Sequence, residues 1–238
     1  MLKEAIEKIV SLAAPTTFQV DGKTFSSKEL VEVCPKEYHT ERISVTGLDS
    51  VCKLVRNEAE RIGRKVFIRA ADYATVMVFS TYDDKYRRES LYRCDADTPN
   101  ISFGSFMDHQ EAIIQLQSLY IPNEDTRYLL KLLSSISQES NVTSNDNGVT
   151  QVVEAKTGIA LKQNVEVKPI VNLQPFRTFL EVDQPESSFL LRVNEGGRVA
   201  LIPADGGVWK LEATRNIAAY FEDKLKDMIE AGTVVVIR

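Results

Sequence analysis

Between Gln174 and Arg192 the chain gathers two arginines, three acidic residues, two prolines and three phenylalanines within nineteen positions. The guanidinium groups of Arg177 and Arg192 are planar forks suited to phosphate or carboxylate oxygens. Phe176, and further along Trp209, offer aromatic faces on which a base can stack without hydrogen bonds. Gln184 and Glu186 add polar groups, so the candidate ligand-binding set is Arg177, Arg192, Phe176, Gln184, Glu186 and Trp209. These residue types can capture a small anionic, nucleotide-type molecule, and none of them needs a catalytic partner to do so. The competing reading is architectural. Arg177 and Arg192 then pair with Glu181, Asp183 or Glu186 across neighbouring strands, and Trp209 plugs a core beneath a helix.

Catalytic sets are harder to assemble. There is no G-x-x-x-x-G-K-[ST], no G-x-G-x-x-G after a strand, no H-E-x-x-H and no G-x-S-x-G, the commonest nucleotide, zinc and hydrolase signatures. His39 and His109 lack partners at metal-ligand spacing, so no metal and no cofactor is expected. Asp108 to Glu111 reads as an acidic first helical turn that suits the helix dipole. Glu181, Asp183 and Glu186 invite a metal or glycosidase reading, but a carboxylate pair must face across a substrate, and no general-acid partner is signalled. Cys34, Cys52 and Cys94 are odd in number and form no C-x-x-C, which points to reduced thiols. A non-enzymatic protein is therefore expected.

Charge narrows the partners. Lysine and arginine total 29 against 34 acidic residues, a net charge of -5, whereas a nucleic-acid coat needs a concentrated basic face. Arg87 and Arg88 among Tyr82, Tyr86 and Tyr92 mix basic and aromatic groups as single-strand binders do, though a polar hairpin face has the same letters. No run of about 18 apolar residues signals a membrane span, and the opening residues do not form a secretory signal.

The elements that would position these groups predict an α+β fold. Leu2, Ile6, Ile9, Val10 and Ala13 recur at helical spacing as far as Pro15. Asp21-Gly22 marks a hairpin between Thr17 to Val20 and Lys23 to Phe25. Leu48, Val51, Cys52, Val55, Ala59 and Ile62 form one stripe ended by Gly63. Three strands, read as antiparallel, follow at Lys65 to Arg69, Ala74 to Thr81 and Glu89 to Arg93. Residues from Phe106 to Ile136, broken at Pro122, predict an αα-hairpin. Gln138 to Gly148 has the composition of a linker, which divides the chain into a half at 1–137 and a β-rich half at 149–238. The second half predicts strands at Val149 to Ala155, Ile159 to Val167 and Phe179 to Val182, the last bracketed by Pro175 and Pro185. A hairpin over Phe189 to Ile202, a helix over Leu211 to Ala231 and a terminal strand over Thr233 to Ile237 complete it. The opening amphipathic helix and the apolar final strand offer surfaces for a homo-oligomer.

The spacing R-T-F-x-E-V-x-Q-P-E-S-x-F-x-x-R from Arg177 to Arg192 also resembles a phage and prophage protein family related to YfdQ. D-N-G-V-T-Q at Asp146 to Gln151, G-V-W-K-L-E-A at Gly207 to Ala213 and F-M-D-H-Q-E at Phe106 to Glu111 are similar to it as well, over most of the chain but least before Ile43. The resemblance implies a phage or prophage gene product made in the cytoplasm of the bacterial host, from among early, non-structural genes, and carries over no catalytic residue. Together with the candidate set it points to an anti-defence sponge that sequesters a nucleotide-type signal. A nucleic-acid-binding accessory protein of early phage replication or recombination is the alternative.

Overall fold

A computed structural model describes residues 2–13, 15–20, 22–27, 41–62, 65–83, 86–136, 142–146, 151–157, 161–194 and 197–238. The chain divides into two units, Met1–His39 and Thr40–Arg238.

In the first unit, helix α1 (Leu2–Ala13) precedes an antiparallel ribbon of β1 (Thr17–Val20) and β2 (Lys23–Ser26). Val20 pairs with Lys23 around Gly22, whose φ of 74° is the left-handed conformation that glycine adopts without strain. Phe18 stacks on its cross-strand partner Phe25 at 5.9 Å. Leu2, Ile6, Ile9 and Val10, the stripe of α1, are all exposed.

The second unit is built on two apolar cores. The first lies on a five-stranded sheet of order β14-β4-β5-β6-β3. Its members are β3 (Ile43–Val45), β4 (Val66–Ala70), β5 (Thr75–Ser80), β6 (Ser90–Asp95) and β14 (Val234–Ile237). Alternation buries Val66, Ile68, Val76, Val78 and Cys94 on one face. Helices α2 (Leu48–Ile62) and α5 (Trp209–Lys224) cover that face with Leu48, Val51 and Val55, and with Ile217 and Phe221. As the sequence predicts, β4, β5 and β6 are antiparallel neighbours. Burial pushes the Cys52 and Cys94 thiols up to about 11 and about 12, so both sit in this core as inert apolar groups. Cys34 lies outside the described residues.

The second core lies between an αα-hairpin, α3 (His109–Ser118) and α4 (Glu124–Ile136), and a sheet of order β13-β12-β11-β7. Its strands are β7 (Tyr120–Ile121), β11 (Ile170–Pro175), β12 (Ser187–Val193) and β13 (Val199–Pro203). Tyr120, Leu129 and Leu133 meet Val171, Leu173, Phe189 and Leu191 there. A third, three-stranded sheet holds β8 (Val142–Asp146), β9 (Gln151–Thr157) and β10 (Leu161–Val167).

Three expectations need correction. The division into 1–137 and 149–238 separates no compact units: β7 pairs with β11, β14 runs parallel to β4, and both cores draw on both stretches. Within the expected linker, residues 142–146 are β8, and the rest of it lies outside the described residues. Polar composition reads as loop, but cross-strand pairing overrides it. Phe179 to Val182 is a turn rather than the expected strand, and the strand before it, β11, ends at Pro175. Finally, the helix expected over Leu211 to Ala231 starts at Trp209 and breaks at buried Leu225 into α5 and a short α6 (Lys226–Glu230).

The turn over residues 176–186 joins the two cores. Phe179 inserts into the first core, and the Glu181 carboxylate accepts from the Leu48 backbone N–H at 2.8 Å, capping α2. Gly47 permits that approach, because a Cβ there would lie 2.9 Å from Glu181 Oε1.

Candidate ligand cleft

The same turn aims Arg177. Gln184 is buried, and its Oε1 accepts from the backbone N–H groups of Arg177 and Thr178 at 3.1 and 3.3 Å. Its Nε2 donates to the carbonyls of Phe179 and Val182 at 2.9 and 3.2 Å. One amide thus fixes the loop from both of its ends. Thr178 Oγ1 donates to the Tyr73 carbonyl, tying this loop to the one between β4 and β5. On the far side, the hairpin of β12 and β13 leads into Asp205-Gly206-Gly207, where φ values of 62° and 85° at the glycines turn the chain into α5 at Trp209.

These three segments, with residues 98–103, wall an open cleft of about 450 Å³ lined by Arg177, Tyr73, Trp209, Asp205, Lys210 and Phe103 among others. Arg177 is 8% exposed and lies over Trp209, its guanidinium carbon 3.8 Å from the ring centroid. Its Nη2 donates to Ser187 Oγ, which donates onward to Asp205 Oδ2 at 2.6 Å. The Arg177 Nε is buried with no hydrogen-bond partner. Burial depresses the guanidinium to about 10, against the opposing pull of Asp205. Asp205 is itself held below the usual carboxylate range: burial would raise it, but the Ser187 hydroxyl, the backbone N–H groups of Gly207 and Trp209, and Arg177 outweigh that. The Tyr73 and Trp209 rings meet at 4.7 Å and 59°, with the Lys210 ammonium 5.3 Å from the first and 5.9 Å from the second.

Of the six residues singled out in the sequence, the fold brings Arg177 and Trp209 into contact in this cleft. Arg192 is elsewhere. Ser187 and Phe189, which touch Arg177, lie on one face of β12, whereas Arg192 lies on the other, five residues along, or about 16 Å. The expected fork of two arginines therefore does not form, and the Arg192 Nη1 donates to the Leu191 carbonyl at 3.0 Å. Neither arginine makes a salt bridge to Glu181, Asp183 or Glu186 among the described residues. Phe176 is half-buried beyond the cleft lining, with its N–H on the Leu119 carbonyl; Glu186 is exposed; Gln184 holds the loop rather than facing the cleft. Trp209 is half-buried, and Arg177 covers one of its faces, so it serves the cleft as a seat for the guanidinium.

Tyr73, Ser187, Asp205 and Lys210 were not picked out in the sequence. Asp205-Gly206-Gly207 before Trp209 was the one available signal, since an aspartate ahead of two glycines marks a turn in which its side chain bonds the backbone two residues on.

The remaining candidates have structural partners. Asp108 caps α3 by accepting from the Gln110 N–H at 2.8 Å, as a helical first turn requires, and His109 Nδ1 stands 3.6 Å from its carboxylate. His39 is outside the described residues. Arg87 pairs with Asp83 at 2.8 Å, and Arg88 lies between the rings of Phe67 and Tyr82 while donating to the Ser80 carbonyl. Among the described residues there is no group of three or more His, Cys, Asp or Glu able to hold a metal, and no helix long and apolar enough to cross a membrane. No protein-family model, curated protein or solved structure matches the chain.

Proposed function

We propose that this chain is a phage or prophage protein, of the family related to YfdQ, that captures a small anionic nucleotide-type molecule in the Arg177 cleft and holds it unchanged. The observation that carries the reading is the state of Arg177. A buried cation normally has a carboxylate against it, because an uncompensated buried charge costs several kcal/mol. Arg177 has a hydroxyl and an aromatic face instead, with Nε unpartnered, at the wall of a cleft with room for a ligand. An anionic ligand supplies the missing countercharge, while Tyr73 and Phe103 supply aromatic surface beside it. In this reading the protein acts by sequestration in the cytoplasm of the host as a homo-oligomer, withholding a signal of host defence.

Trp209 is the only tryptophan, so its emission reports the cleft directly. Titration of the purified protein with a panel of mono- and cyclic nucleotides is expected to quench or shift that emission, with the ligand recovered intact. Arg177→Ala is expected to weaken capture by about 1.5–3 kcal/mol, the scale of a lost charged hydrogen bond. Capture undiminished by Arg177→Ala, turnover of the ligand, or preference for single-stranded DNA with steep salt dependence would each defeat the proposal, the last in favour of a nucleic-acid accessory role.

A further inference from the structure

Resting on the reading of the cleft as a nucleotide site, we infer that Asp205 selects the sugar. The ligand is a ribonucleotide whose 3′-phosphate meets Arg177 and whose neighbouring 2′-hydroxyl donates to Asp205. Cation and carboxylate stand on either side of one hydroxyl: Arg177 Nη2 donates to Ser187 Oγ, and Ser187 Oγ donates to Asp205 Oδ2 at 2.6 Å. Two hydrogen bonds in series hold the charges within about 5–6 Å. A ligand that engages both must therefore carry an anionic oxygen and a hydrogen-bond donor at short spacing.

A phosphate on O3′ and a free hydroxyl on C2′ sit on adjacent carbons and meet that demand. A 5′-phosphate lies beyond the sugar ring from the 2′-hydroxyl, and a 2′-deoxy sugar has no donor there. The fully ionised phosphates of a polyphosphate tail would turn acceptors alone toward the carboxylate, and like charge rejects them. Asp205 has the capacity for one such donor. An ionised carboxylate offers about four acceptor sites, and the Ser187 hydroxyl and the N–H groups of Gly207 and Trp209 take three. Hydrogen bonding holds it ionised at neutral pH, as an acceptor only. A carboxylate on a ribose hydroxyl is an established way to read a sugar. The cleft, at about 450 Å³, is of the size that encloses one small molecule, roughly 300–1,000 Å³, so the source is a free nucleotide rather than an RNA strand.

The test compares 3′-AMP with 2′-deoxy-3′-AMP by Trp209 emission on the full-length protein. We expect 3′-AMP to bind about ten- to a hundredfold tighter, the value of one hydrogen bond to a charged group. Asp205→Asn, which keeps an acceptor for the Gly207 N–H, should bring the two ligands near parity. The ligands differ by one hydroxyl, so their comparison on the unaltered protein decides the matter even if the variant is poorly folded. Equal affinities, or binding of 5′-AMP but not 3′-AMP, overturn the inference and leave nucleotide capture standing. No binding by any of the three overturns the inference, and no binding by any mono- or cyclic nucleotide of the wider panel overturns both. Displacement of 3′-AMP by a short oligoribonucleotide at lower nucleotide concentration overturns the free nucleotide as source.

Discussion

At Arg177, stability and binding are set against each other. Its folded pKa lies below its usual value because burial disfavours the charge. The charged form is therefore a destabilising element across neutral pH, relieved only as pH rises past about 10. Replacing such a group by an apolar one of similar length is neutral or stabilising in many proteins. Arg177→Met is accordingly expected to leave the chemical-denaturation midpoint unchanged or raised while weakening capture as Arg177→Ala does; a stability loss of more than about 2 kcal/mol would mean that the guanidinium holds the turn together. Asp205 behaves oppositely. A carboxyl held below its unfolded value contributes stability above that value, and loses it as pH falls through the folded pKa. With a reference value of 3.8, the wild type should lose stability below about pH 4, and Asp205→Asn should lose less over that window. Parallel acid-unfolding curves for the two proteins would contradict the assignment.

Among elements, helix α2 depends on a carboxylate from far along the chain. Glu181 reaches the Leu48 N–H past Gly47, where a Cβ would lie 2.9 Å from Oε1 and push the carboxylate aside. Gly47→Ala should therefore destabilise the wild type by about 1–3 kcal/mol, the cost of displacing a partner from a cap. It should be close to neutral in a Glu181→Ala background, which has already lost that cap; denaturant unfolding of the four proteins measures the coupling, and simple additivity would sink the account. Helix α5 gives a plainer case. Phe221 is 1% exposed in the first core, so Phe221→Ala should cost about 2–5 kcal/mol. Ile229 is half-buried in α6 and should cost less, and exposed Lys224 least. Periodicity made α2, α5, the αα-hairpin and the β12–β13 hairpin legible, because each buries one face of a local repeat. It failed at residues 176–186. Phe179 and Val182 pack inward from a turn that Gln184 holds by four hydrogen bonds, so apolar letters there look like a strand.

For the whole molecule, the pairings that close the fold run between distant segments. β14 adds to β4 in parallel, β11 adds to β7, and Thr178 reaches a carbonyl 105 positions earlier. No local pattern encodes such partners, which is why Arg177 and Trp209 were legible as residue types whereas Tyr73 and Asp205 became visible only once the chain was folded. The same pairings place both cores within Thr40–Arg238. A chain shortened to 40–238 should therefore melt cooperatively within a few degrees of the full chain and keep its capture of nucleotide. Residues 1–39 pose the opposite problem. A helix of 12 residues is marginal in water by itself, and α1 exposes Leu2, Ile6, Ile9 and Val10, while the ribbon exposes Phe18, Val20 and Phe25. Apolar surface of that kind is stabilised when another chain covers it, and like segments from copies of one chain are the cover always present at equal concentration. Light scattering at micromolar concentration is thus expected to give a multiple of 26.7 kDa for the full chain and a single subunit for 40–238. A full chain that scatters as one subunit would refute the homo-oligomer. An oligomer that survives the deletion would move its contact from residues 1–39 to the second unit, where β14 presents an open sheet edge.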